Sequence, residues 1–338
     1  MNRIFKVSML LSMASLLVAC GGGGGGGSSS SAAPGPGTTP AGPLTITPAN
    51  ALAAAKAMNA SLVFTAGAGT QAANAPNAAV VSVTGKGFNI VDFSSALFEK
   101  VNSLKSQLIP TAIGIVSIRN SPCKGGGSVD VTLDDVDNSG ALSTGDRLSL
   151  IYNNCTERGV TVSGGLSISN FFFLKPSSVA FSSSGTISFN SFIYSDGLTN
   201  GTMNGTFNFS VSTNDGNFIT STITGASLTV TETSTTLILS GYSMDQTNDI
   251  STGAFTLSAN GTVNSSALGG SVTFTTSTPF RGTGTSNPNT GVVKINGVGS
   301  SVTLTVLDST NVRLDVDSNG DGVTNSVINT TWAVLDTF

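Results

Sequence analysis

The sequence predicts a mainly β protein with an α+β N-terminal part, in which two short helices precede a large antiparallel meander. Beyond residue 113, apolar residues alternate with Thr, Ser, Asn or Asp at a period of two, as in 129–133 and 312–316. This alternation is typical of strands with one dry and one wet face. Gly-containing turn dipeptides interrupt the alternation, as expected for hairpins. Between residues 48 and 110, the apolar spacing is instead three to four, which indicates helices.

The meander has about 12–14 alternating segments, more than an open twisted sheet usually carries without curling or splitting. A sandwich, a closed barrel and a curved half-barrel are all compatible with this pattern. We expect tight hairpins at Asp196-Gly197, Asn200-Gly201, Asn204-Gly205, Asp215-Gly216, Asn260-Gly261 and Asn296-Gly297.

The first twenty residues have the pattern of an export signal. Arg3 and Lys6 precede a short apolar run, residues 7–18, which as a helix is about 18 Å long and too short to cross a bilayer core. The run ends in Leu17-Val18-Ala19-Cys20, which resembles the lipobox of bacterial lipoproteins. The resemblance implies a signal peptide over 1–19, cleavage before Cys20 and acylation of Cys20. Gly21, in place of Asp, is similar to the outer-membrane sorting signal of that family.

Residues 20–47 follow as a segment of Gly, Ser, Ala, Pro and Thr without apolar periodicity. Such a segment buries too little apolar surface to offset its ordering entropy, so we expect a disordered tether. A helical segment, 48–110, and a β domain, 111–338, complete the predicted domain organisation.

Two helices are predicted in the segment 48–110. In the first, Thr47 caps the helix and Pro48 occupies its first turn. Its apolar residues are Leu52, Ala55, Met58 and Leu62. The second helix has an apolar stripe of Phe93, Leu97, Val101, Leu104 and Leu108, with Asp92 or Ser94 as cap and Pro110 as stop. We expect both helices to pack on the β domain through these faces.

The cysteine content agrees with export. With Cys20 assigned to the lipid, Cys123 and Cys155 remain as an even pair without a CxxC motif. In an oxidising compartment we expect them to form a disulfide.

Inside the loop that this disulfide would close lies a candidate metal site. The segment 135–146 resembles the twelve-residue calcium loop of EF-hands and dockerins, with oxygen donors at alternating positions, glycine at position 6 and an apolar residue at position 8. The candidate ligands are Asp135, Asp137, Ser139, Ala141, Ser143 and Asp146. Two features depart from the family: position 12 is Asp rather than Glu, and strands rather than helices are predicted on both sides.

A second segment, 317–325, has the shorter D-x-N-x-D-G pattern. Its candidate ligands are Asp317, Asn319, Asp321 and Asn325, without an acid at position 12. For both segments the alternative interpretation is a hairpin turn rich in Asx-turn residues. Ca²⁺ is therefore the one cofactor that the sequence suggests.

The chain lacks the catalytic residues of most enzyme classes. Without histidine there is no Ser-His-Asp triad, no Cys-His pair and no histidine metal site. A glycosidase that uses two carboxylates stays open, although three Glu and one Trp offer little for sugar binding. The net charge of −4 and the absence of a basic stripe exclude nucleic acid as the expected partner.

The sequence thus predicts a lipid-anchored lipoprotein of the cell envelope, at the outer membrane, on its periplasmic face or at the cell surface. Its β domain is expected to be a non-enzymatic structural or binding module for other envelope proteins, glycans or lipids. The alternative is a carrier of a hydrophobic ligand, with Phe171-Phe172-Phe173-Leu174 lining a groove in a curved sheet. Core packing is the ordinary explanation for those phenylalanines.

Overall fold

Fourteen strands and two helices make up the part of the chain that the structure, a computed structural model, describes. The described residues are 42–72, 114–139, 142–157, 159–177, 179–195, 197, 200–232, 235–284 and 286–336. The predicted signal peptide, Cys20 and the second predicted helix, 93–108, lie outside them.

The helices are α1 (Ala51–Ala72) and α2 (Trp332–Leu335). The strands are β1 (Ile115–Pro122), β2 (Ser128–Asp134), β3 (Arg147–Glu157), β4 (Val160–Leu174), β5 (Phe181–Ser195), β6 (Asn200–Thr213), β7 (Phe218–Glu232), β8 (Thr235–Asp249), β9 (Ala254–Ser265), β10 (Gly270–Thr283), β11 (Thr290–Gly297), β12 (Ser300–Val306), β13 (Asn311–Asp317) and β14 (Ser326–Thr331).

All fourteen strands belong to one antiparallel sheet whose spatial order is the chain order, from β1 to β14. The predicted meander is therefore confirmed. Within the described residues β1 and β14 each pair with a single strand, so the sheet is open rather than a closed barrel. The α1 helix lies against β6, β7, β8 and β9 and also contacts β11 and β13. Most side chains of α1 between residues 51 and 62 are buried, so the sheet curves around this part of the helix.

The first predicted helix is present, but it starts later and is buried on more sides than predicted. Thr47 and Pro48 lie in a turn that precedes Ala51, in which the Asn50 side chain accepts a hydrogen bond from the Thr47 amide (2.7 Å). Ala55, Met58 and Leu62 are buried as expected, and so are most of the other residues between 51 and 62. The reason is that the curved sheet surrounds this part of the helix. Within the described part, no helix combines the length and the apolar character required to cross a membrane.

The chain enters the sheet earlier than the predicted end of the tether. Leu44 donates a backbone hydrogen bond to Ser271 (2.9 Å) and accepts one from Val298 (2.8 Å). Ile46 is fully buried, and its amide donates to the Ser300 hydroxyl (2.7 Å). Residues 42–47 therefore belong to the β body, because Leu44 and Ile46 provide apolar side chains that the composition of the rest of the tether lacks.

Successive loops of a meander lie at alternate ends of the sheet. Residues 42–46 lie beside the β9–β10 and β11–β12 loops, and we call this end of the sheet the entry end. The β1–β2, β3–β4, β5–β6, β7–β8 and β13–β14 loops lie at the same end. The opposite end carries the β2–β3, β4–β5, β6–β7, β8–β9, β10–β11 and β12–β13 loops together with α2; we call it the far end. The two candidate metal loops therefore lie at opposite ends, 135–146 at the far end and 317–325 at the entry end.

A row of β-bulges bends the first half of the sheet. Asn154 and Ser191 have positive φ (48° each), and the strand register shifts at both residues. Each faces a glycine: a Cβ on Gly127 would lie 1.9 Å from the Asn154 carbonyl oxygen, and one on Gly164 would lie 2.1 Å from the Ser191 carbonyl oxygen. Bulges of this kind increase local twist, which helps the sheet curve around α1.

Two of the six expected hairpin turns, Asn204-Gly205 and Asn260-Gly261, are wrong, because both dipeptides lie inside strands. Gly197 and Asp215-Gly216 lie in loops, whereas Asn200-Gly201 begins β6 and Asn296-Gly297 ends β11, each beside a loop. Gly261 lies against Tyr242, where a Cβ would come within 3.0 Å of that residue, and Gly205 has φ +126°. These glycines make room for neighbouring groups rather than for a turn.

The disulfide between Cys123 and Cys155 is present, with the two Cα atoms 5.5 Å apart. It joins the β1–β2 loop to β3 at the entry end. A closed loop of this length stabilises the folded chain by about 3–4 kcal/mol in the chain-entropy account.

Candidate metal centre

The β2–β3 loop brings three carboxylates together at the far end. One oxygen from each of Asp135, Asp137 and Asp146 lies within 4.8 Å of the other two. Asp135 and Asp146 are buried, at 1% and 0% exposure, whereas Asp137 is exposed. Burying two carboxylates beside a third is unfavourable unless hydrogen bonds or a cation compensate.

The strand register places Asp135 and Asp146 side by side. Asp134 and Arg147 are paired across β2 and β3, so the residues that follow and precede them, Asp135 and Asp146, start the loop next to each other. The ladder thus brings position 12 of the loop, which is Asp here and Glu in an EF-hand, next to position 1.

Amide groups of the loop hold the carboxylates in place. Asp146 accepts hydrogen bonds from the Val136 amide (2.8 Å), the Ser143 amide (2.6 Å) and the Ser143 hydroxyl (3.0 Å). The Ser139 amide donates to Asp135 (2.9 Å) and to Asp137 (3.0 Å). The carboxylates therefore converge through the loop backbone.

Ser139 and Ser143 also act on Asp137. The Ser143 hydroxyl donates to Asp137 (2.9 Å), and hydrogen bonds from Ser139 and then Ser143 lower the pKa of the Asp137 carboxyl below its ordinary value. Asp137 is thus held in its ionised form, the form that coordinates a metal. Five of the six predicted ligand residues are described and lie in this cluster; Ala141 lies outside the described residues.

The β4 strand fixes the loop from the side, a contact that the sequence did not predict. Thr144 exchanges two hydrogen bonds with the Phe173 backbone, from its hydroxyl to the carbonyl (3.0 Å) and from the Phe173 amide to the hydroxyl (2.9 Å). The Gly145 amide donates to the Phe171 carbonyl (2.8 Å). Because Thr144 and Gly145 immediately precede Asp146, this contact sets the position of that carboxylate.

The second candidate loop, 317–325, has the contacts of a hydrogen-bonded turn. The two Asp317 oxygens accept the Gly320 amide (2.7 Å) and the Gly322 amide (2.9 Å). The Asn325 side-chain oxygen accepts the Ser318 amide (2.7 Å), and the Asn319 amide group donates to Asp321 (2.9 Å). Such amide contacts also occur in the β2–β3 loop, but this loop has only two carboxylates, Asp317 and Asp321, and they belong to no group of three potential ligands among the described residues. The difference favours the Asx-turn interpretation for this loop.

A third group of potential ligands contains Cys123, Cys155 and Glu157. The two cysteines are bonded to each other, which removes the thiolates that a metal requires.

Only the first residue of the Phe171–Leu174 run lies in the core. Phe171 is buried, but Phe172, Phe173 and Leu174 are 40%, 37% and 52% exposed at the end of β4. The Asn170 residue, with φ 51°, lies where the β4–β5 register shifts, so the strand alternation changes just before the run.

Comparison with known protein families, curated proteins and solved structures found no match.

Proposed function

We propose that the chain is a lipid-anchored lipoprotein of the bacterial outer membrane, acylated at Cys20, whose β body is a non-enzymatic structural or binding module. The observation that carries the proposal is the sequence Leu17-Val18-Ala19-Cys20 followed by Gly21. The disulfide between Cys123 and Cys155 is consistent with an oxidising compartment such as the envelope.

Two features of the body favour a structural or binding module over a carrier. The concave side of the sheet is occupied by α1, whose residues between 51 and 62 are mostly buried against it. Three of the four residues of the phenylalanine run, Phe172, Phe173 and Leu174, are exposed at the end of β4. A hydrophobic ligand would therefore have to displace α1.

The anchor is tested by mass spectrometry of the N-terminal peptide from membranes of the native host. We expect a peptide that begins at Cys20 and carries acyl chains, and a Cys20→Ala variant that stays uncleaved and unacylated. An N-terminal peptide that begins elsewhere, or an unmodified Cys20, would contradict the proposal. Folding of the body is a separate measurement, since the body starts at Gly42.

The second part of the proposal is that the β2–β3 loop binds Ca²⁺. Its support is the convergence of Asp135, Asp137 and Asp146 within 4.8 Å, with Ser139 and Ser143 beside them. Ca²⁺ takes six to eight hard oxygen ligands, so the backbone carbonyl of Ala141 and water would complete the set. The ion would offset the repulsion among three carboxylates, two of which are buried.

Titration calorimetry with Ca²⁺ and terbium luminescence test this site. We expect one bound ion, loss of binding in Asp135→Asn and a rise in the unfolding temperature with Ca²⁺ in the wild type, because a ligand of the folded state stabilises it. Asp317→Asn is the matched control, since it removes a carboxylate from the other loop. An unchanged titration in Asp135→Asn, or no binding up to millimolar Ca²⁺, would contradict the proposal.

A further inference from the structure

The far end of the sheet carries most of the exposed large apolar side chains in the described part of the chain. Fifteen such side chains are exposed. Only five lie elsewhere, namely Ile151, Ile193, Val298, Val323 and Val327. The remaining ten therefore lie at the end that also holds the carboxylate cluster.

Six of these ten lie on three neighbouring hairpins and form what we call the tip patch. It comprises Phe172, Phe173, Leu174, Val179, Phe218 and Ile250, each between 37% and 52% exposed. A monomeric soluble domain rarely exposes neighbouring large side chains of this kind unless they meet a partner.

Contacts between the loops hold the tip patch together. The Ile250 amide donates to the Asn217 carbonyl (2.8 Å), which joins the β8–β9 and β6–β7 loops. Val179 packs against Gly216, where a Cβ would come within 3.1 Å of it, so the β4–β5 loop contacts the β6–β7 loop as well. The Thr144 contact with Phe173 extends the row to the carboxylate loop. The patch is thus a preformed surface.

The charges around the tip patch are mainly negative. The six far-end loops and their flanking residues contain seven aspartates against Arg147 and Lys175, for a net charge of −5 (−7 + 2), or −3 with Ca²⁺ bound. Asp215 and Asp249 lie directly beside Phe218 and Ile250. Backbone and side-chain hydrogen bonds within their turns lower the pKa of both carboxyls, so both are ionised at neutral pH.

The negative charges around the tip patch argue against an anionic membrane surface as its occupant, because like charges repel. A second copy of this chain is also disfavoured, because it would present the same negative end.

We propose that the tip patch is the docking surface of this module for a protein segment that is apolar and positively charged. Its chemistry rests on the described residues alone and goes beyond the proposed lipid anchor. Apolar burial by the phenylalanines would supply the affinity, and the surrounding aspartates would select cationic partners and speed their association.

A synthetic peptide of alternating Leu and Lys, labelled for fluorescence anisotropy, tests the proposal on the full chain. Peptides of alternating Leu and Glu, and of alternating Ser and Lys, are the charge and apolar controls. We expect binding of the Leu-Lys peptide alone, with an affinity that falls as salt rises. Phe173→Ser combined with Phe218→Ser should weaken it about tenfold or more.

Val323→Ser combined with Val327→Ser is the matched control, since both side chains are exposed at the entry end. This variant should bind as the wild type does, and unfolding curves of both variants check that the fold is intact. Equal binding of the Leu-Glu peptide, or unchanged binding in the tip-patch variant, would overturn the proposal.

Two further results would assign the patch to another occupant and overturn the proposal. One is binding of neutral phosphatidylcholine vesicles with the same dependence on Phe173 and Phe218. The other is tighter binding of a peptide with the sequence of residues 93–108, which would identify the chain's own segment as the occupant. Neither result depends on acylation of Cys20, so failure of the anchor proposal is distinguishable by the N-terminal peptide mass.

Discussion

The Asn59 side chain of α1 donates a hydrogen bond to the Asp336 carboxylate, with the two atoms 3.0 Å apart. The residues are 277 positions apart in the chain, and they join the helix inside the curved sheet to the C-terminal end of α2. Burial raises the pKa of the Asp336 carboxyl, and the hydrogen bond from Asn59 offsets part of that rise. The contact fixes α1 at the far end of the sheet.

Asp336 should make the protein less stable as the pH rises. Because its pKa is higher in the folded than in the unfolded state, the folded state holds the proton to higher pH, and this contribution to stability falls across that interval. Asp336→Asn keeps an oxygen that accepts from Asn59 but carries no charge. We therefore expect its unfolding temperature to exceed that of the wild type at pH 7 and not at pH 3.

Removing the Asn59 side chain, which donates to Asp336, should destabilise the protein at neutral pH. Asn59→Ala leaves the Asp336 carboxylate without this hydrogen bond and should lower the free energy of unfolding by about 1–2 kcal/mol at pH 7. The loss of unfolding free energy should be smaller in the Asp336→Asn background, because the bond from Asn59 does not stabilise a charge there. Equal losses in the two backgrounds, measured in denaturant, would show that the residues act independently.

Asp249 should stabilise the β8–β9 turn in its ionised form. Hydrogen bonds from Ser251 and Thr252 lower the pKa of its carboxyl to about 2. A lowered carboxyl pKa contributes stability that is complete above the unfolded-state value of about 4 and is lost as the pH falls towards 2. Asp249→Asn should therefore flatten the decline in unfolding temperature between these pH values.

Ser251→Ala is the intermediate variant for this prediction. It removes the hydroxyl that donates to Asp249 (2.7 Å) but keeps the two amide donors. Its acid dependence should lie between those of the wild type and Asp249→Asn. If the unfolding temperature of Asp249→Asn depended on pH as that of the wild type does, the acid dependence would come from other carboxyls.

Gly164 should tolerate no side chain. Its φ is +94°, and a Cβ there would lie 2.1 Å from the Ser191 carbonyl oxygen, so the bulge would have to open. We expect Gly164→Ala to lower the free energy of unfolding by about 3 kcal/mol or more. Gly159→Ala is the control, because its φ is +84° and the space around it is open; it should lose about 1 kcal/mol. Similar losses of unfolding free energy in the two variants, measured in denaturant, would show that the positive φ alone, and not the contact with Ser191, sets the cost.

Tyr152 and Tyr242 should ionise only when the protein unfolds. Both side chains are buried, and burial raises the pKa of each well above the ordinary value. Stability that depends on their protonated form is complete below about pH 10 and is lost as the pH rises further. In Tyr194→Phe, which leaves only these two tyrosines, tyrosinate absorbance should therefore appear together with the loss of the circular dichroism signal; tyrosinate in a folded chain would contradict this.

The sequence by itself determined the elements that depend on short-range pattern. Period-two alternation placed the strands, because successive side chains of a strand point to opposite faces. Alternating oxygen donors around Gly140 indicated the carboxylate loop, and five of its six candidate ligand residues lie together. The even pair, Cys123 and Cys155, indicated the disulfide. Each of these predictions depends on the spacing of residues within a short segment or on the number of residues of one type.

The tertiary structure decided what depends on long-range geometry. Asn204-Gly205 and Asn260-Gly261 have the composition of turns, but they lie inside strands because neighbouring strands or rings come too close for a Cβ there. Likewise, burial around α1 follows from the curvature of the whole sheet rather than from its own apolar spacing. The grouping of Phe173, Phe218 and Ile250 at one end depends on the strand order. These relations join residues that are far apart in the chain, so they cannot be predicted from local periodicity.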